Sequence, residues 1–180
     1  MLFRSGAGQV KLLKHFIKDW VLPILIAIIL ALLINKFLLY KIYVPSESMF
    51  PTIKIGDNIF VSRIYNYNSI KRGDIIVFYS KELGETLIKR VIGLPGETVK
   101  VKPNGTVWVN NLQINEPYVQ YNGGKVGSFN VPEGKYLFLG DNRANSDDSR
   151  YWKNSYISSA DVQGKAQVIA YPFDRIGLLK

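Results

Sequence analysis

The sequence contains no cysteine, which excludes disulfides, thiol catalysis and thiolate metal sites in any compartment. Histidine is nearly as scarce. His15 is the single copy, and because catalytic zinc usually takes two or three histidines, zinc hydrolysis is disfavoured. Counting alone leaves carboxylate-bound magnesium or calcium open. Internal repeats, low-complexity tracts and flexible linkers are also missing, so no domain boundary is expected after Val44. Charge of one sign is not concentrated on the larger part of the chain. The formal charge of +9 divides into +5 for residues 1–41, with six Lys or Arg against one acid, and +4 for residues 42–180, with 17 against 13. A nucleic-acid binder clusters basic charge on its folded domain; here lysines and acids are interspersed there, so no nucleic-acid partner is expected.

One long apolar run is present. Residues 21–34, VLPILIAIILALLI, carry no charge, and Phe37-Leu38-Leu39-Tyr40 continues them past Asn35-Lys36. About 20 such residues suffice to cross a bilayer. The reading is one transmembrane helix over 20–40, after a cytoplasmic segment 1–19 and before an extracytoplasmic domain 41–180. Trp20, Tyr40 and Tyr43 suit the interfacial aromatic belts, and Lys36 can snorkel to the headgroups. Arg4, Lys11, Lys14 and Lys18 precede the run, so the positive-inside rule keeps the N-terminus in the cytoplasm. A cleaved signal peptide would have a shorter apolar core and an Ala-x-Ala site after it; neither is found.

The remaining stretch of about 140 residues is a usual size for one hydrophobic core. Short β-rich runs punctuated by Gly and Pro fill it: 58–61, 74–79, 86–92, 98–101, 106–109 and 136–139. A mainly β domain is therefore predicted, with short helices at most. Val107 to Ile114 reads as a tight hairpin in which Asn110-Asn111 adopts positive φ.

Three segments carry candidate chemistry. In the first, Pro45 and Pro51 bracket Ser46 and Ser48 and bias the segment away from helix. If Ser48 is a nucleophile, His15 lies on the opposite side of the proposed span, roughly 30 Å away across the bilayer, and lysine becomes the candidate base. In the second, Thr86 to Ile92 is a predicted strand. Alternation sets Leu87, Lys89 and Val91 on one face and Ile88, Arg90 and Ile92 on the other. Both faces are mostly apolar, so either this is an edge strand with both cations in solvent or at least one cation meets unfavourable surroundings; a buried lysine is pushed toward neutrality, which suits a general base. The third segment, Gly140 to Trp152, is the densest polar stretch, and its mixture of Asp, Arg and Ser favours internal ion pairs and hydrogen bonds.

Together and in this order behind an apolar N-terminal segment, the three resemble the bacterial type I signal peptidases, Ser/Lys proteases that remove signal peptides, in their compact Gram-positive-like form. The resemblance rests on Pro45-Ser46-Glu47-Ser48-Met49 through Pro51-Thr52, Gly56-Asp57, Lys89 to Gly96, Gly140-Asp141-Asn142-Arg143 with Asn145-Ser146, Asp148 to Trp152, and Pro172-Phe173 with Arg175-Ile176-Gly177. Glu97 and Lys153 depart from the pattern, which usually has Asp and Gly there.

The resemblance implies a β-rich catalytic domain behind one transmembrane helix. It implies Ser48 as nucleophile and Lys89 as base, Ser146 hydrogen-bonding the lysine, and Asp148 and Arg150 bracing the site. The Ser48 N–H and Ser46 hydroxyl would form an oxyanion hole. Substrates would be secretory preproteins with small residues at the first and third positions before the cut. Val44, Met49, Leu87 and Ile88, which flank the two reactive residues, are candidates either for the pocket walls or for the core. No metal or organic cofactor is implied, and a monomer in the bacterial cell membrane is expected. Ser48 lies eight steps along the chain from Tyr40, so at up to about 3.5 Å each the serine is expected within roughly 28 Å of the membrane edge.

Overall fold

The computed structural model describes residues 12–179. Arg4 and Lys11, two of the residues behind the expected orientation, lie outside them. The chain divides into two units, Met1–Leu39 and Tyr40–Lys180.

The first unit is a helix, Leu12–Phe37, long and apolar enough to cross a membrane by length and composition. A π-helical turn, Ile17–Val21, leads into α1, Leu22–Phe37. Pro23 falls within the first turn of α1, directly after the π-helical turn. The helix stops three residues before the expected Tyr40. From Leu39 the chain is extended as β1, Leu39–Tyr43, with alternating burial. Tyr40 and Ile42 pack on a core cluster, and that burial, unavailable to a lipid-facing helix turn, explains the switch to strand.

The second unit is mainly β. After β1 come β2 (Asn58–Arg63), β3 (Ile75–Ser80), β4 (Glu85–Gly93), β5 (Thr98–Val101), β6 (Val107–Val109), β7 (Leu112–Gln113), β8 (Gly127–Asn130), β9 (Lys135–Leu139), β10 (Ile157–Ser158), β11 (Val162–Tyr171) and β12 (Gly177–Leu178). The large sheet runs β1-β2-β11-β3-β4-β9-β10, with β12 also on β11; the small sheet runs β7-β6-β5-β8. Strand β3 is apolar on both faces. Ile75 and Val77 enter one cluster with Val44, Met49, Ile53 and Ile88, while Ile76 and Phe78 enter another with Val91, Phe138 and Trp152. A third cluster joins Ile92, Leu137 and Leu139 to the valines of the small sheet. Each buried side chain of this kind contributes about 1.5–3 kcal/mol against exposure.

All six predicted strands are present, with ends within two residues of those expected. In the predicted hairpin, Val109 faces Leu112 across Asn110 and Asn111, whose φ values are 48° and 67°. Strand β11, ten residues long and central, is not foreshadowed. Gly164, Lys165 and Gln167 interrupt its apolar pattern, and register shifts between Ala166 and Val168 and between Ile169 and Tyr171 break the alternation. Gly164 serves close approach: a Cβ there would lie 2.5 Å from the Ser62 carbonyl oxygen.

Candidate active site

Ser48 sits on the connection between β1 and β2, which forms neither strand nor regular helix. The ends of this connection are tied together, Val44 N–H donating to the Asp57 carbonyl (3.0 Å) and Gly56 N–H to the Val44 carbonyl (3.0 Å). Within it, Phe50 N–H reaches Glu47 and Ile53 N–H reaches Met49, each at 2.9 Å. Met49 and Ile53 are buried beneath, so the turn is pinned to the core with the serine facing a groove.

Two carboxylates hold the same connection, Asp57 within it and Asp141 outside it. Asp57, 1% exposed, accepts from Arg175 Nε and Nη2 at 2.9 Å each and from the Lys54 N–H at 2.9 Å. Arg175 Nη2 also donates to the Thr52 carbonyl at 3.2 Å. Asp141 accepts from Thr52 Oγ1 at 2.6 Å, and from Arg90 Nε and Nη2 at 2.8 and 2.6 Å. The connection is therefore tied to β4, to the 140–150 loop and to the C-terminal turn.

Lys89 enters from β4. Its Nζ donates to Ser48 Oγ at 2.7 Å, with Lys89 3% and Ser48 8% exposed. Burial pulls the Lys89 ammonium down from an ordinary 10.5 to about 8, against the opposing pull of the Asp148, Asp147, Glu85 and Asp141 carboxylates. Desolvation outweighs four acids because only water had been stabilising the charge fully. Its neighbour Arg90 is equally buried, and its guanidinium makes a bidentate pair with Asp141. Both cations on the strand are thus buried, one paired and one resting on a hydroxyl.

Ser46 is exposed, with its Oγ 3.4 Å from Ser48 Oγ. The groove around the two serines is lined by Glu47, Leu83, Glu85, Leu87, Lys89, Asn145 and Asp147. Of the four proposed wall residues, Leu87 lines it. Val44, Met49 and Ile88 belong instead to the core cluster under the serine, because each points from its segment to the interior face. Leu83, in the turn between β3 and β4, supplies apolar lining that no periodicity marks.

Asp148 and Arg150 are fully buried and paired, Arg150 Nε to Asp148 Oδ1 and Nη2 to Oδ2, each at 2.8 Å. Asp148 Oδ2 also accepts the Gly140 N–H at 3.0 Å. Ser149 bonds both ways to the Phe138 backbone on β9, so the whole loop is fixed to the sheet. Asn142 N–H donates to the Ser48 carbonyl at 3.1 Å.

Ser146 departs from expectation. Among the described residues its buried Oγ has no hydrogen-bond partner and is not bonded to Lys89, whose ammonium is directed at Ser48 instead. The hydroxyl lies over Gly140, where a Cβ would come within 2.2 Å of it and 2.4 Å of the Ser48 carbonyl oxygen. Among the described residues, no group of three or more His, Asp or Glu is arranged to hold a metal ion.

Asp141, Arg90, Thr52 and Arg175 were not assigned roles from sequence, although each stands within a motif. The available signal was Arg90 itself, since a guanidinium on an apolar strand requires a carboxylate.

A buried lysine at bonding distance from a serine, facing an open groove, is an arrangement suited to nucleophilic acyl transfer. The family described as signal peptidase, peptidase S26 matches residues 17–171. Among individual proteins, a signal peptidase I from Leptolyngbya laminosa is 42% identical over 167 residues, covering 86% of this chain and 79% of that one. A signal peptidase I P from Bacillus subtilis subsp. natto is 38% identical over 175 residues, covering 91% and 93%. A solved signal peptidase I from Enterococcus faecalis is 36% identical, with a TM-score of 0.48 over 54% of this chain and 96% of that chain.

Proposed function

The chain belongs to the signal peptidase, peptidase S26 family, and on that basis we propose that it is a membrane-anchored serine endopeptidase removing signal peptides from secretory preproteins with a Ser48/Lys89 dyad. The observation that carries the dyad is the 2.7 Å approach of Lys89 Nζ to Ser48 Oγ in a groove. A lysine held near 8 is neutral often enough at physiological pH to accept a proton.

In the proposed cycle, neutral Lys89 takes the Ser48 hydroxyl proton as Oγ attacks the carbonyl after the last signal-peptide residue. The tetrahedral oxyanion receives the Ser48 N–H and the Ser46 hydroxyl. The Lys89 ammonium then protonates the departing amine, which becomes the N-terminus of the mature protein, and an acyl-enzyme remains on Ser48. Water gives its proton to the same lysine and attacks the ester, releasing the signal peptide's new carboxylate and restoring Ser48. No metal takes part in these steps.

Asp148 and Arg150 brace the loop that backs Ser48. Small side chains at the first and third substrate positions meet the shallow surface carrying Leu87 and Leu83. The helix Leu12–Phe37 anchors a monomer in the bacterial membrane with its N-terminus in the cytoplasm. Tethering the groove near a substrate segment held in the same bilayer raises its effective concentration.

Acid-quenched single turnover tests the covalent step. Mass mapping with a peptide spanning a cleavage site should find the acyl group on Ser48, and cleavage with the acyl group on another residue would contradict it.

A further inference from the structure

Buried arginines are costly unless every donor is satisfied. Arg90 and Arg143, 1% and 2% exposed, are satisfied partly from a distant place, the loop 115–125 between β7 and β8 of the small sheet. The Tyr118 ring lies over the Arg90 guanidinium, with Cζ 3.9 Å from the ring centroid. Glu116 accepts from Arg143 Nη1 and Nη2 at 3.0 and 2.5 Å and from the Tyr118 hydroxyl at 2.8 Å. Tyr121 contributes its carbonyl to the Ala144 N–H at 3.1 Å and its ring to Phe50, centroids 5.7 Å apart. The loop thus straps over Arg90, Arg143, Ala144 and Phe50, each within two residues of one that lines the groove.

We propose that residues 115–125 form a positioning strap for the Ser48/Lys89 pair, acting through Tyr118 on Arg90 and through Glu116 on Arg143. This rests on the dyad reading above. Arg90 is bonded in sequence to Lys89, and its carboxylate partner Asp141 also takes the Thr52 hydroxyl; that one carboxylate therefore sets the strand of the base against the loop of the nucleophile. Tyr118 covers the face of Arg90 and holds the guanidinium in the plane that reaches Asp141. Arg143, clamped by Glu116, donates Nε to the Gly140 carbonyl at 3.0 Å, and Gly140 is the residue packed against Ser146 and the Ser48 carbonyl. Tyr118 and Glu116 touch these two arginines rather than the reacting atoms, so they are positioning residues. Burial and the adjacent Glu116 carboxylate push the Tyr118 phenol well up, so its hydroxyl stays a donor throughout the working range.

The test is steady-state cleavage of a preprotein by the full-length enzyme in detergent, with wild type and Ser48→Ala alongside. A strap that only secured the small sheet would change the folded fraction and leave kcat per folded molecule alone. The proposal expects Tyr118→Leu to lower kcat about tenfold, with KM within about twofold. Tyr118→Phe, which keeps the ring over Arg90, should restore at least half of kcat. Glu116→Gln, nearly identical in shape, provides a second arm with an expected kcat loss of several-fold at unchanged KM. Wild-type kcat per folded molecule in both Tyr118→Leu and Glu116→Gln, or a Phe variant as slow as the Leu one, overturns the strap while leaving the dyad intact. An inactive wild type, or an active Ser48→Ala, removes the dyad reading itself.

Discussion

Lys89 Nζ and Ser48 Oγ stand 2.7 Å apart although they come from a β-strand and an irregular connection with different supports. What brings them together is the pair of residues beside them, Arg90 on the strand and Thr52 on the connection, sharing the Asp141 carboxylate. Lys89 is left with burial and, among the described residues, no ion-pair partner. That asymmetry between neighbouring cations is what suits Lys89 to the proposed role of base.

The pH dependence follows. In the proposed dyad the lysine works as a base only when neutral, and burial brings its folded value to about 8. Below that value kcat/KM should rise tenfold per pH unit, then level off above about 8. A pH–rate profile flat from 6 to 9 would contradict this assignment.

The same burial costs stability. With a folded value near 8 and an ordinary one of 10.5, the unfolded chain binds the extra proton between those limits, so wild-type stability rises with pH across that window. Below about 8 the charged lysine is simply buried at a cost. Lys89→Met should therefore stabilise the inactive protein at pH 7 by on the order of 2 kcal/mol, with the gain shrinking from pH 8 to 10.5. Denaturant unfolding at pH 7 and 10 measures both; a variant less stable at pH 7 would go against the account.

Gly140 offers a steric test. An added methyl would meet Ser146 Oγ at 2.2 Å and the Ser48 carbonyl oxygen at 2.4 Å. Gly140→Ala should displace the nucleophile and reduce kcat by about 100-fold, with a far-UV spectrum like that of wild type. Near-normal kcat would mean the serine's position is less tightly set than the contacts imply.

Much of this site is legible in the sequence, for reasons that can be stated. Prolines at 45 and 51 mark a non-helical segment, and a Lys-Arg pair on an apolar strand announces buried charge; both are local signals. The bonding of Asp141 to Thr52 and of Arg175 to Asp57 is not local, since their partners lie 89 and 118 positions away. Alternation distinguished the faces of β4 but not groove from core, so Leu87 lines the groove while Ile88, Val44 and Met49 lie inside. Strand β11 escaped because its bulges and Gly164 erase the period that identifies strands. At the end of the apolar run, Leu39 and Tyr40 looked like membrane residues, yet they begin a strand. Hydrophobicity reports burial without saying in what.

Topology can be read without background labelling, because the chain has no cysteine. In intact spheroplasts, an impermeant maleimide should label Ser128→Cys, an exposed position on β8, and should reach Ser5→Cys only after permeabilisation. The reverse pattern would overturn the orientation derived from the flanking lysines.

The most direct measurement is cleavage of a preprotein carrying an Ala-x-Ala site by detergent-solubilised enzyme, with the product's N-terminus sequenced for wild type, Ser48→Ala and Lys89→Ala. The account predicts one new N-terminus directly after that site and no product from either variant. Cleavage by Lys89→Ala at the wild-type rate, or a wild type inert toward several such preproteins, would contradict it.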